Sequence, residues 1–221
     1  MHWNLLLPNF DRILSLLREH GDYFAAHWWA TLSVSLTASA LAIAVSLAMG
    51  IAATRFRAVE VVLTPAVAIS QSFPLQAIAP IIIILMGVGF HTKLSIAFVI
   101  AFFPIYGTCL TALKTTPQPI LAHLAVCRAS FLNGMRHARI PAALPAIISA
   151  AKIGFTLAVL GAVVAEFIHP DKGLGHVLLV AQSNYDIDVI YICVALLMVQ
   201  GLSMYGLLSM MENYIIRRRA G

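Results

Sequence analysis

Apolar residues fill this chain in five long blocks, and the charged residues collect in the short stretches between them. Trp28 to Thr54 is the first block, free of formal charge and long enough for a bilayer-crossing helix, which takes about 20 apolar residues. Val61 to Phe90 is the second, interrupted by Pro65, Pro74 and Pro80. The third, Leu94 to Leu113, contains Pro104 and follows a turn over Gly87 to Lys93. Ile140 to Ala165 holds a single charge, Lys152, and Val189 to Met211 completes the set. Residues 10–20 follow another rule. Their alternation of Leu and Ile with Asp11, Arg12, Arg18 and Glu19 predicts a short amphipathic helix, too charged to span. It is expected to lie at a membrane interface, with Trp3, Trp28 and Trp29 as aromatic anchors. In the first block small residues recur four apart (Ala40, Ala44, Ala48; Ser35, Ser39), a spacing that lets helix backbones approach closely.

Composition turns this pattern into a class. Hydrophobic residues make up 61% of 221 positions, charged residues 10%, and the mean hydropathy is +0.90. A soluble domain carries about 25% charged residues, so this chain lacks the polar surface that solubility in water requires. The reading is an all-α, polytopic transmembrane helical bundle of five spans, in contact with membrane lipid. The net charge of +5 does not call for nucleic acid, because the positive residues are distributed as topology signals. Cys109, Cys127 and Cys193 make no CxxC pair, so neither a disulfide framework nor a metal site is indicated. The start of the chain has no signal-peptide pattern.

Five spans put the termini on opposite sides. Arg55, Arg57, Lys114, Arg128, Arg136, Arg139 and Arg217 to Arg219 then share one side, and Arg12, Arg18, Lys93 and Lys172 the other. Basic residues accumulate in cytoplasmic loops, so the C-terminus is expected inside, the N-terminus outside, and residues 114–140 form the largest cytoplasmic loop. The acids Asp11, Glu19, Asp22, Asp171, Asp186 and Asp188 fall on the outer side.

That loop carries the pattern Ala122-His123-Leu124, then Arg128, then Ala138-Arg139-Ile140-Pro141. It resembles the coupling-loop motif of binding-protein-dependent ABC importer permeases: Glu-Ala-Ala, three residues, Gly, nine residues, Ile, any residue, Leu, Pro. Ala122 stands in the Glu position and Arg128 in the Gly position. Glycine is the residue for a left-handed break, so the chain must turn at Arg128 by other means, with Ser130 as a cap for the helix that follows. The resemblance extends over most of residues 28–214, through Pro74 to Lys93, Pro141 to Pro145, Lys152, Ala165-Glu166 and Gly173-Leu-Gly175. It is closest to the sulfonate/taurine, nitrate/bicarbonate and thiamine-precursor subgroup, whose additional N-terminal span this chain is expected to lack.

The resemblance implies the MetI-like fold and a permease without catalytic chemistry, multi-pass in the plasma (bacterial inner) membrane. Two permease copies, as a homodimer, would form the path. ABC ATPase subunits, which hold the ATP and Mg, would dock on the loop through Ala122, Ala125, Arg128, Ala129, Ser130, Gly134, Arg136 and Pro141. An external substrate-binding protein would deliver a small solute. No cofactor is implied in this chain, and no GxxxxGK[ST] motif is present.

Candidates for the translocation path come from polar or helix-breaking residues inside apolar blocks: Ser70, Gln71, Phe73, Pro74, Lys152 and Glu166. A broken helix at membrane depth is tolerated only where protein buries it or a watery cavity flanks it. Lys152 sits roughly 18 Å along its helix from Ile140. An intramembrane charge is expected to face a cavity or a partner, and a lysine in the path would suit an anionic solute. Glu166 reads as a structural polar contact, with Lys172 or a loop N–H, or as an outer gate. His169, His176 and Tyr185 lack ligand spacing and read as surface or binding-protein contacts, not metal ligands. Residues 1–27 form the interfacial segment, 28–214 the transmembrane domain, and 215–221 a basic cytoplasmic tail. Two other readings stay open on these residues: a secondary transporter or channel working without ATP, and a membrane scaffold for an ATPase.

Overall fold

A computed structural model describes residues 8–117, 119, 122, 126, 128–168 and 171–220. Among them every regular element is helical. Helix α1 (Phe10–Glu19) starts on Asn9, whose side chain accepts from the N–H groups of Asp11 and Arg12, with Asp11 in its first turn and Arg18 in its last. That placement of charge suits the helix dipole at both ends. Arg12 ties α1 down by pairing with Asp186 and Asp188, each at 3.0 Å.

Helix α2 (Gly21–Arg55) begins seven residues before the expected Trp28, because Gly21 to His27 continue it despite their polarity. Its buried stripe is Thr31, Ser35, Ser39, Ala42, Ser46 and Gly50, whereas Ala40, Ala44 and Ala48 face outward. Of the two expected four-residue series, the serines therefore form the packing face and the alanines do not. Hydroxyls can sit there because they bond backbone carbonyls, as Ser35 does to Thr31 and Ser46 to Phe102 of the next long helix.

The second apolar block is two helices, α3 (Arg57–Ser72) and α4 (Ala79–Met86), joined through a 3₁₀ turn over Leu75–Ile78 and bent by 100°. Pro74 causes the break. The residue before a proline is forced out of the helical region, and Phe73 is extended at φ −104°, ψ 132°.

Helix α5 (Phe90–Lys114) is the central element, with buried residues from Thr92 to Leu113. The expected turn over Gly87 to Lys93 ends at Gly89, and Lys93 is a buried residue of the first helical turn. After the loop, α6 (Phe131–Gly134) runs through a wide π turn (Met135–Arg139) into α7 (Ile140–Ile168). The α5–α7 contact is close: a Cβ on Gly161 would lie 2.6 Å from Ala97 Cα. Such small-residue contacts are how helices pack where lipid removes the hydrophobic drive to associate. The expected polar loop from Glu166 to Asp188 is largely α8 (Leu174–Ser183), and α9 (Ile187–Ala220) extends beyond Met211.

Among the described residues four helices are long and apolar enough to cross a membrane, and the bent pair makes a fifth if it is one span. Connectivity decides what the pair is. Helix α2 starts beside Glu166 through Thr31 and ends with Gly50 against Leu113 near the end of α5. Helices α2 and α5 are therefore parallel, so α3 and α4 together carry the chain back from one end of the bundle to the other. Asp188, at the start of α9, is held by Arg12, and Glu212 meets Lys152 further along α7. Helix α1 and the later turns of α9 around Glu212 lie towards opposite ends of the bundle.

Candidate functional site

At the end of the bundle that holds the basic loop, Arg128 adopts φ +46°. The left-handed break expected of glycine is thus made by an arginine, at a cost of about 1–2 kcal/mol. Ser130 then caps α6, its hydroxyl accepting from Asn133 N–H at 3.3 Å. Gly134 is buried, while Ala122, Arg128 and Arg136 are exposed and Ala129 and Pro141 are partly buried. Ala125 lies outside the described residues. A proline ring collides with the carbonyl four residues back, here that of His137, and the π turn over Met135–Arg139 widens the helix at that point. Leu132 projects from α6 at 76% exposure, an apolar side chain one helical turn before Arg136. Arg55, the last residue of α2, stands over the Phe131 ring at 5.6 Å, and Lys114 pairs with Glu60 of α3.

The path candidates separate into three places. Ser70, Gln71, Phe73 and Pro74 stay together at the α3–α4 break. The Ser70 hydroxyl donates to Val67 O, and Gln71 lines a cleft of about 560 Å³ with Thr108, Thr111 and Thr115 of α5. Lys152 is elsewhere. It pairs at 2.5 Å with Glu212 of α9, whose other oxygen accepts from Ser149, and it lies over the Tyr205 ring. Two charges that would each be costly alone in a membrane neutralise one another. Sequence reasoning missed Glu212, although a lone acid directly after the fifth apolar block, with a lone base inside the fourth, was the available signal.

Glu166 is at the far end of α7, fully buried. Its carboxylate accepts from the Thr31 hydroxyl, 2.9 and 3.0 Å from the two oxygens, and from Gly175 N–H at 2.8 Å. Thr31 in turn accepts from Leu174 N–H at 2.8 Å, and His27 Nδ1 from Gly173 N–H at 3.0 Å. Three residues from two helices thus satisfy the free donors at the start of α8. The Gly-x-Gly pair exists for this carboxylate: a Cβ on Gly173 would overlap it and one on Gly175 would come to 2.9 Å, and Gly173 also has φ +127°. Beside this knot Lys93 of α5 binds Asp171 and donates to Lys172 O at 2.8 Å. His27, Thr31, Lys93 and Asp171 carried no periodic signal that set them apart. His176 stacks near His27, Tyr185 is exposed with φ +54°, and His169 lies outside the described residues. Among the described residues no group of His, Cys, Asp and Glu is arranged to hold a metal ion.

These features define a multi-pass membrane protein whose one broken helix lies beside a cleft and whose basic loop leads directly into its most enclosed helices. Residues 28–217 match the family described as "Binding-protein-dependent transport system inner membrane component", and the chain belongs to that family. It is 32% identical over 164 residues to the riboflavin transport system permease protein RibX of Chloroflexus aurantiacus, covering 74% of this chain and 61% of that protein. The chain thus spans less than two thirds of that relative's length. The formylaminopyrimidine transport permease protein ThiX of Halalkalibacterium halodurans is 24% identical, over 96% of this chain and 85% of its own. The taurine transport system permease protein TauC of Escherichia coli is 26% identical, over 85% and 69%. The fold is similar to that of a chain in inward-facing structures of the MetNI methionine ABC transporter, with a TM-score of 0.73 over 87% of this chain and 95% of that one at 19% identity.

Proposed function

We propose that this chain is the membrane-spanning permease subunit of an ATP-driven importer of a small solute. It docks a separate cytoplasmic ATPase on the corner from Arg128 to Pro141, receives cargo from an external binding protein, and works as two copies in a bacterial inner membrane. The observation that carries the reading is mechanical continuity. The exposed corner with Leu132 and Arg136 runs without a loop into α7, and α7 packs backbone-close on α5. A force applied at the corner therefore reaches the centre of the bundle. The charge distribution supports the same orientation. Arg55, Lys114, Arg128 and Arg136 gather at one end, which the positive-inside rule makes cytoplasmic, and Glu166, Lys93 and Asp171 gather at the other. ATP and Mg belong to the partner in this reading, and the polar residues of the α3–α4 break line the path. Lys152 is removed from the solute's reach by Glu212, so an anionic cargo has no support from it.

Purification of the chain in mild detergent from cells of its own source tests the reading. Recovery of a stoichiometric ATPase is expected, and replacing Leu132 and Arg136 by Glu should abolish it without loss of helix content. Undiminished recovery would remove the corner as the docking element. Solute uptake that continues after the ATPase is deleted would favour an ATP-independent transporter instead.

A further inference from the structure

Helix α3 differs from every other long helix of the bundle in how it is held. None of its residues is fully buried. It touches the core along a narrow stripe, Val59, Leu63 and Val67, each only partly covered. Val67 meets α5 where that helix has Gly107, and a Cβ there would come to 3.1 Å of Val67 Cγ1. Clefts lie along the helix before this contact and at it. One, of about 580 Å³, lies between Glu60, Thr64 and Lys114, and the other, of about 560 Å³, opens at Val67 and Gly107 themselves and reaches Gln71, Thr108 and Thr111. Close-packed interiors transmit displacement and resist rotation; a helix with open space around its one close contact can rock. Its two ends are the two candidate places of this protein. Glu60 pairs with Lys114, the last helical residue before the basic loop, about 10 Å along the helix from Val67. Phe73 and the 100° break lie about 9 Å beyond Val67 on the other side.

We propose that α3 is the moving lever of this permease: it rocks on the Val67–Gly107 contact, and the Glu60–Lys114 pair at the start of the docking loop drives it. Glu60 and Lys114 are positioning residues. They touch no solute, and they act by moving Ser70, Gln71 and Phe73 at the far arm when the loop shifts. The clefts provide the room, and the proline break uncouples α4 from the swing. The inference rests on the importer reading above and goes beyond it by naming the transmitting contact.

The test uses the whole complex with its ATPase in nanodiscs, after replacement of Cys109, Cys127 and Cys193. Spin labels at Val62, before the contact, and at Ile69, beyond it, are each measured against a label at Gln182 on α8. Labelled permease is diluted with unlabelled copies so that one labelled chain is read per complex. Between the nucleotide-free and ATP–vanadate-trapped states the two distances should shift with opposite signs. Shifts of the same sign, or none in a complex that traps vanadate, would overturn the lever. Glu60→Gln should leave ATPase recovery intact and abolish both shifts, and exchanging the charges (Glu60→Lys with Lys114→Glu) should restore them. Full shifts in Glu60→Gln would overturn the drive through this pair. A chain that recovers no ATPase at all would instead sink the importer reading, so the two failures are distinguishable.

Discussion

The two ends of this bundle are fastened by different chemistry. At one end α2, α5, α7 and α8 are joined by buried bonds of Glu166 and Thr31 and partly buried ones of His27 and Lys93, which satisfy backbone donors and acceptors of the Asp171–Gly175 corner. At the other, α3 is held by an ion pair with about a third of each side chain exposed, and Arg55 rests on the Phe131 ring. A buried polar group left without its partner costs the full desolvation of that group, so the first end has one low-energy arrangement. An exposed pair can separate into water at little cost, so the second can change state. A bundle built this way has a fixed end and a yielding end, and a docking loop belongs on the yielding one.

That contrast can be broken by design. The largest effect is expected for Gly173→Ala, whose new methyl group overlaps the Glu166 carboxylate at a φ that disfavours any side chain. A loss of about 3 kcal/mol or more is expected, as for other strained, overpacked sites, and is readable as a fall in thermal unfolding temperature in detergent. Glu166→Ala comes next. It leaves Gly175 N–H without its acceptor, at about 1–3 kcal/mol, and the Thr31 hydroxyl with only its longer bond to His27 O at 3.3 Å. Glu166→Gln keeps an acceptor for Gly175 and offers Thr31 a donor, so it should recover most of the stability. Equal damage from Ala and Gln would show that the carboxylate is needed for its charge and not as a cap.

Between the two ends, Lys152→Met and Glu212→Gln should each destabilise the bundle by stranding a charge. The double replacement should restore thermal stability towards that of the unaltered protein, because removing both charges of a largely buried ion pair together strands neither. Additive losses would mean that the two residues act separately. The smallest effect is expected at the yielding end. Arg128→Gly removes a left-handed arginine and should change stability by about 1 kcal/mol at most, in the stabilising direction, with ATPase recovery retained. A loss of recovery would assign the guanidinium itself to docking.

The pattern of apolar blocks was enough for the number of crossings, for the amphipathic start and for the cationic loop. The resemblance of the loop to the family motif pointed to Arg128 as the place of the break, and Ser130 as the cap follows from backbone geometry within a few residues. The apolar pattern misplaced the start of α2 because membrane helices continue into polar residues where another helix covers them, as α8 covers His27. It offered two small-residue series without separating them, because alanine is compatible with either face. Only the packing of α5 selected the serines.

What the sequence determined is local and one-dimensional: which stretches are too apolar to leave a membrane, where proline must break a helix, and which family the spacing of motifs resembles. Tertiary structure alone decided the partners of the buried charges. Lys152 and Glu212 lie 60 residues apart, and Thr31 and Glu166 135 apart. A charge in an apolar block announces only that some partner must exist. Which residue it is depends on the parallel or antiparallel sense and the axial register of the helices, set by close contacts such as Gly161 on Ala97. The same register leaves α3 with clefts at its side and gives this bundle one end that can move.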